Sequence, residues 1–526
     1  MKPLFVLRGR AMRAAFTGSA LLGALLVIAG CSLAPTYVVP TATTASAAST
    51  FKEATSAANP RDVASQSASN QSASTQGTLT QGTSTQGTSS ENLGTWKTAQ
   101  PSEDTARGEW WKVFGDAALD DLERQAFDAN QNLKAAAARV KQARALNQSA
   151  RAALFPTLDA GFGPTRERVS AASLFESDGT QVPQQTLWRA QASASYEVDL
   201  FGRVASNIDA AKADAQRSEA MYRSVLLALQ ADVAQHYFAL RELDAERDVF
   251  TQAVELREQA LKLAKHRFDE GDVTELDYQR AQTELASARS DAMTVERLRA
   301  ASEHSLAVLL GKAPSDFSMT ANPIQPVDLR IPPGLPSALL ERRPDIAAAE
   351  RAMAAANARI GVAKAAFFPS LTLTGTGGFE SATIGDLFKW SSRAFLLGPL
   401  AGTALNVPIF DGGRRKGNLA NARAVYEEDV ARYRQQVLVA FQEVEDNLAD
   451  MRILEVQTQA QNDAVRASQR AADLSRKQYE EGAVNFLDVI DAQRTVLQTQ
   501  RAAIQLQGIQ AASTVNLIRA LGGGWG

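Results

Sequence analysis

The stretch Lys477 to Arg494, KQYEEGAVNFLDVIDAQR, repeats a pattern that stands 211 positions earlier (477 − 266 = 211), HRFDEGDVTELDYQRAQT from His266 to Thr283. Phe268 answers Tyr479, Glu270 answers Glu481, Gly271 answers Gly482, Val273 answers Val484 and Asp277 answers Asp488, all without a gap. The same offset joins Gly202-Arg203 to Gly413-Arg414, Tyr222 to Tyr433 and Val233 to Val444. Further upstream it becomes 213 (369 − 156 = 213), where Ala153-Leu-Phe-Pro-Thr-Leu158 is answered by Ala366-Phe-Phe-Pro-Ser-Leu371. One half of the chain duplicates the other, so the fold must contain two equivalent structural units. In both copies a long Ala/Gln/Arg-rich helical pattern breaks at Glu-Gly and resumes within a few residues, which predicts the tip of a helical hairpin.

Ahead of each hairpin the period changes. At Phe155-Pro156 helical spacing gives way to alternation, and from Trp188 to Val198 the residues Trp188, Ala190, Ala192, Ala194, Tyr196 and Val198 alternate with Arg189, Gln191, Ser193, Ser195 and Glu197. One face is apolar with aromatic ends and the other polar, as in a transmembrane strand with lipid outside, water inside and an aromatic girdle. A half-buried strand of a soluble sandwich alternates in the same way, so one strand alone leaves the choice open. The second half supplies a matching pair, Pro369 to Phe379 and Phe395 to Val407, with Leu371, Leu373, Leu397, Ala401, Leu405 and Val407 facing outward. Pro399 sits poorly in such a wall, because it removes a ladder donor. The expectation is four strands in two hairpins, 155–199 and 369–408. Four strands cannot close a membrane barrel, which needs about eight and tolerates no edge in lipid, so the wall must be shared between chains.

After Gly202 and Gly413, helical pattern runs unbroken for about 65 residues, close to 100 Å at the rise of an α-helix. Such length calls for coiled-coil packing through Ile208, Ala215, Tyr222, Leu226, Leu229, Val233 and Phe238. Shorter helices are expected over 117–153, 275–310, 338–366 and 486–520. Trp110, Trp111 and Phe114 need a surface to cover. The predicted organisation is a first repeat at 108–311 with its tip near 271, a linker at 312–336 in a stretch with six prolines, and a second repeat at 337–526 with its tip near 482.

The amino terminus places Lys2, Arg8, Arg10 and Arg13 before the apolar run Ala20 to Ile28 and then Ala29-Gly30-Cys31. A basic region, a short apolar core and small residues make a signal peptide, here 1–30. Ile-Ala-Gly-Cys resembles the lipobox of bacterial lipoproteins, in which the cysteine, here Cys31, carries a diacylglycerol and an N-acyl chain; Ser32 resembles outer-membrane sorting. Residues 31–107 read as the lipidated start and a Ser/Thr/Gln-rich tether, too poor in apolar surface to fold. Beyond covalent lipid no cofactor is expected. The net charge of −3 gives no basic bias towards nucleic acid, and three histidines with one cysteine leave little material for a metal cluster or a Cys/His nucleophile. An enzyme is the least supported class.

Taken together, Gly30-Cys-Ser-Leu-Ala-Pro-Thr-Tyr37, Trp110 to Phe114, Val198-Asp-Leu-Phe-Gly-Arg203, Glu341-Arg-Arg-Pro-Asp-Ile346, Val407-Pro-Ile-Phe-Asp-Gly-Gly-Arg414 and the two tips resemble the TolC-like outer-membrane efflux proteins, in the lipoprotein branch serving resistance-nodulation-division pumps. The resemblance implies an α+β membrane protein: a homotrimer whose four strands per chain form a shared 12-stranded barrel in the outer membrane, with helices forming a periplasmic α-barrel. It also implies a gated exit duct with two partners, a periplasmic adaptor and an inner-membrane transporter. The family's aspartate gate falls on Asp488 and Asp491, which share a helix face and under threefold symmetry would ring one axis, attracting cations. In the first repeat Arg280 stands where Asp491 would recur. Tyr479 is a gate candidate that either hydrogen-bonds across the tip or packs. Gly271, Asp272, Val273, Gly482, Ala483 and Val484 are adaptor-contact candidates, the glycines being equally explained as helix caps. A channel for protein secretion and a lipid-anchored coiled-coil scaffold are the alternatives, and a scaffold would have no use for the alternating face at 188–198.

Overall fold

The computed structural model describes residues 34–38, 108–168, 170, 183–326, 342–397 and 405–523. The signal peptide, Cys31, the tether, Pro399, Ala401, most of the loop at 170–184 and the linker from 327 onward lie outside the described residues. In chain order the helices are α1 (Ala117–Ala129), α2 (Gln131–Ala152), α3 (Arg203–Asp269), α4 (Glu275–Leu309), α5 (Pro344–Ala365), α6 (Arg414–Glu480) and α7 (Phe486–Ala520). The strands are β1 (Thr157–Glu167), β2 (Gln185–Val198), β3 (Ser370–Ser381), β4 (Arg393–Leu397) and β5 (Leu405–Asn406). The two long helices are each 67 residues. No described helix is long and apolar enough to cross a membrane.

The chain forms two compact units, and neither is a repeat. One gathers 139–218 and 349–433 with the segment up to 40; the other gathers 219–348 and 434–526 with 41–138. In the first, β1, β2, β3 and β4 make one antiparallel sheet in that order, and β5 also pairs with β3. The central pairing, β2 with β3, joins strands from different repeats, setting Ser193 against Thr376 and Tyr196 against Leu373. The register keeps the predicted faces in line: Ala160, Ala192 and Gly377 share one row, Asp159, Ser193 and Thr376 the next. On the polar face Arg189 of β2 bridges the strands on either side of it, 3.0 Å from Glu167 of β1 and 3.0 Å from Glu380 of β3. On the apolar face Phe162 is 65% and Phe395 79% exposed. The expected fourth strand is found in two pieces, β4 and β5, which lie along the same edge of β3.

In the second unit Trp110 and Trp111 lie in a 3-10 turn and are buried against α1 and the middle of α3, in a cluster with Leu119, Leu122, Val233, Tyr237, Leu306 and Val515. The helix expected over 117–153 is broken at buried Asn130, whose side chain donates to the Leu309 carbonyl at 2.8 Å and accepts from the Leu133 N–H at 2.9 Å. That side chain caps α2 and closes the end of α4, while the Asn130 backbone N–H bonds the Ala126 carbonyl at the end of α1. Part of the linker is clamped nearby: Asp244, 1% exposed, accepts from Arg299 at 2.7 Å and from the Asn322 N–H at 2.8 Å.

The Arg-Arg-Pro-Asp stretch is a second clamp. Pro344 starts α5, and buried Arg343 grips Asp345 at 2.6 Å, Glu443 of α6 at 2.5 Å and the Ala520 carbonyl at 3.2 Å. Burial opposes ionisation of Asp345, but the bonds and charge of Arg343 outweigh it and hold the carboxyl below its usual range. Elsewhere α3 and α7 approach so closely that a Cβ on Gly508 would collide with the Glu242 carboxylate. Burial and the neighbouring Glu246 carboxylate push Glu242 up from 4.5 to about 7, against the pull of Arg501. Between those values the native chain keeps a proton that the unfolded chain has released. The stability this carboxyl contributes is therefore present in full below pH 4.5 and lost as pH rises through about 7. Chemical denaturation should show stability falling across that window, with Glu242→Gln flattening the fall.

Candidate functional site at the helical tips

Both tips are built the same way by local chemistry. At the end of α3, Gly271 has φ 84°, its N–H bonds the Phe268 carbonyl at 3.0 Å, and the Asp272 N–H bonds the Arg267 carbonyl at 2.8 Å. At the end of α6, Gly482 has φ 75° and the same pair of bonds recurs, Gly482 to Tyr479 at 3.0 Å and Ala483 to Gln478 at 2.8 Å. Open space surrounds both glycines, so the left-handed backbone alone selects them. They are helix caps, and Gly271, Asp272, Gly482 and Ala483 also lie exposed at the ends of the hairpins, with Val273 and Val484 half-buried beneath them.

The side chains then diverge. In the second tip Tyr479 is buried in a cluster with Phe486, Val489 and Ile490 of α7 and Ala264 and Ala281 of the first repeat. Its ring lies 5.5 Å from Phe486 and 4.8 Å beneath the Arg267 guanidinium. Of the two roles the sequence allows, the ring takes the packing one. In the first tip Phe268 stacks instead on Tyr278, 5.8 Å away, and stays partly exposed.

Asp488 and Asp491 are both exposed. Asp488 completes a capping box: its carboxylate accepts from the Asn485 N–H at 3.2 Å while Asn485 accepts from the Asp488 N–H at 3.2 Å. Asp491 lies 3.5 Å from Arg494. In the first tip Asp277 is paired with Arg280 at 3.6 Å and receives the Thr274 hydroxyl at 3.0 Å.

The residue that ties the tips together was not among those singled out in the sequence. Glu284 of α4, 8% exposed, receives both arms of Arg494 from α7 and lies 3.6 Å from buried Arg257 of α3. A continuous series, Asp491, Arg494, Glu284, Arg257, thus joins three helices from both repeats. The signal for it was present: Glu284 interrupts the apolar row Ala281, Leu285, Ala288, where a charge must find a partner.

The segment after Cys31 is also placed. Within the first unit Tyr37 donates to the Glu350 carbonyl and carboxylate at 3.1 Å each, the Pro35 carbonyl accepts from Asn357 at 2.8 Å, and Ala34 lies against Gly361, where a Cβ would meet its own at 2.8 Å. The chain therefore climbs α5 towards β3 as it is followed back towards Cys31.

A family model described as outer membrane efflux protein matches residues 122–312 and 335–523. The chain is 36% identical over 433 residues to the probable efflux pump outer membrane protein SepC of Pseudomonas putida, covering 82% of this chain and 88% of that one. It is 37% identical to the outer membrane protein OprJ of Pseudomonas aeruginosa, covering 79% and 86%. Among solved structures it resembles the outer membrane protein VceC of Vibrio cholerae with a TM-score of 0.73 at 27% identity, over 81% of this chain and all (100%) of that one.

Replacing Glu284 by Gln should strand two cations at the tip, one of them buried. Losing charge-assisted bonds worth about 1.5–3 kcal/mol should speed backbone amide exchange in α3, α4 and α7 around the series about ten- to hundredfold. Asp491→Asn removes only an exposed pair, worth at most about 1 kcal/mol, and should change exchange little. Hydrogen-exchange mass spectrometry distinguishes the two.

Proposed function

Given that the chain belongs to the outer membrane efflux protein family, we propose that it works as the passive, gated exit duct of a tripartite multidrug efflux system. The sheet carries this reading. Its apolar face is exposed over several strands, its polar face is continuous across both repeats, and among the described residues its two outer edges, β1 and β4/β5, are unpaired. In hydrocarbon such edges must be satisfied, and pairing β1 of one copy with β4/β5 of the next satisfies them. Three copies of four strands give a closed barrel of twelve with the polar face inward, the homotrimer that the family resemblance implies. A periplasmic scaffold would gain nothing from that face. The long helices then extend from the barrel as a periplasmic conduit, and the chain performs transport without bond chemistry of its own.

The closed end lies at the tips. Around a threefold axis exposed Asp488 and Asp491 form an acidic ring that passes cations and resists anions. The Glu284 series holds the second tip against the first, so opening requires a partner that replaces those contacts. An adaptor coupled to an inner-membrane transporter, bound at the exposed Gly-Asp and Gly-Ala turns, is that partner. Lipid on Cys31 adds a second attachment, a reading supported by the climb of residues 34–37 along α5 towards β3; a mass increment of diacylglycerol plus one acyl chain on the mature amino-terminal peptide tests this, and an unmodified cysteine refutes it.

Planar-bilayer recordings test the gate. The native protein should give small cation-selective currents, and Asp488→Ala with Asp491→Ala should enlarge them and erase the selectivity. Folded, inserted protein with no pore at all would overturn the duct.

A further inference from the structure

The connection from β3 to β4 is a folded piece of chain with an unassigned surface. It contains two 3-10 turns, Ile384–Asp386 and Trp390–Ser392, around fully buried Leu387. Asp386 holds it together: its carboxylate receives the Thr383 hydroxyl at 2.8 Å and pairs with Lys389, while its carbonyl accepts from Ser392 at 2.7 Å. The Phe388 ring meets Phe379 edge-on at 5.5 Å. Phe379 stands in the apolar row of the sheet, beside Ala190 on one side and Arg393 on the other. The loop therefore folds onto the apolar face, at the end of the sheet away from the helices, and leaves Phe388 69% and Trp390 77% exposed there.

Arg393 is the anomaly in that row. Its guanidinium lies over the Trp390 ring and its Nε donates to the Trp390 carbonyl at 2.9 Å, but among the described residues no carboxylate pairs with it. Lys389, by contrast, is neutralised by Asp386. An uncompensated cation on an apolar face is costly at membrane depth and nearly free at the boundary, where it can meet an anion of the lipid itself. Exposed aromatic rings flanking it mark that boundary. We propose that this loop and Arg393 dock the headgroup of a phosphate-bearing lipid in the outer leaflet. Trp390 and Phe388 settle among the upper acyl chains, and the free guanidinium nitrogens donate to the phosphate, a geometry suited to the planar fork of arginine. The inference rests on the proposed insertion of the sheet in the membrane.

Full-length protein in phosphatidylcholine nanodiscs containing a minor fraction of phosphatidic acid, with co-purifying lipid counted by mass spectrometry, tests it. Phosphatidic acid should be enriched around the native chain, and Arg393→Gln should lower the enrichment on the order of tenfold, the loss of one strong charge-assisted contact. Brominated acyl chains should quench the fluorescence lost in Trp390→Phe. Unchanged enrichment in Arg393→Gln overturns the proposal. So does an unquenched Trp390 while a Phe395→Trp variant is quenched, which would mean that the β1–β2 connection or another copy covers the loop. If neither is quenched, the membrane insertion of the sheet itself fails.

Discussion

A strand edge in hydrocarbon leaves a row of N–H and C=O groups with nothing to bond, at several kcal/mol each, and no side chain can repair that. The sheet of this chain has such a row on each side, β1 at one end and β4 with β5 at the other. Everything else in the proposed assembly follows from closing them. Closure between copies requires more than one chain and a symmetry axis to relate them, on which the proposed ring of Asp488 and Asp491 depends.

Duplication made the two tips alike in backbone and free to differ in side chains. Both glycines hold the same left-handed cap. One tip neutralises its aspartate internally through Arg280, while the other keeps Asp488 exposed in a capping box and passes the charge of Asp491 through Arg494 to a buried glutamate of the first repeat. An exposed pair would contribute almost nothing to such a junction. Glu284 is different because, once buried between two arginines, it cannot be left unpaired without a large penalty. That makes the contact a discrete one, held or released, as the proposed gate would need.

Buried charge does comparable work in the second unit, where Asp244 and Arg343 fasten irregular chain and helix ends that have no regular ladder to satisfy them. Glu242 is the exception. It has a close neighbour in Gly508 and a like charge in Glu246, so the site favours the neutral acid near neutrality. The packing of α3 on α7 inherits that sensitivity to pH.

The sequence by itself determined the elements whose cause is local. The expected helix over 486–520 matches α7, and that over 275–310 ends within a residue of α4, because the glycine caps and the Asn485 capping box act within one turn. The alternation at 188–198 announced both faces of β2 for the same reason. Contacts far apart in the chain were decided only in three dimensions. The helix over 117–153 breaks because Asn130 bonds Leu309, 179 residues away. The two hairpins become one sheet because β2 pairs with β3 of the other repeat. Glu284 meets Arg494 at a separation of 210 residues. Periodicity reports which face of an element is buried, but the partner on that face is chosen by packing, and only the folded chain makes that choice.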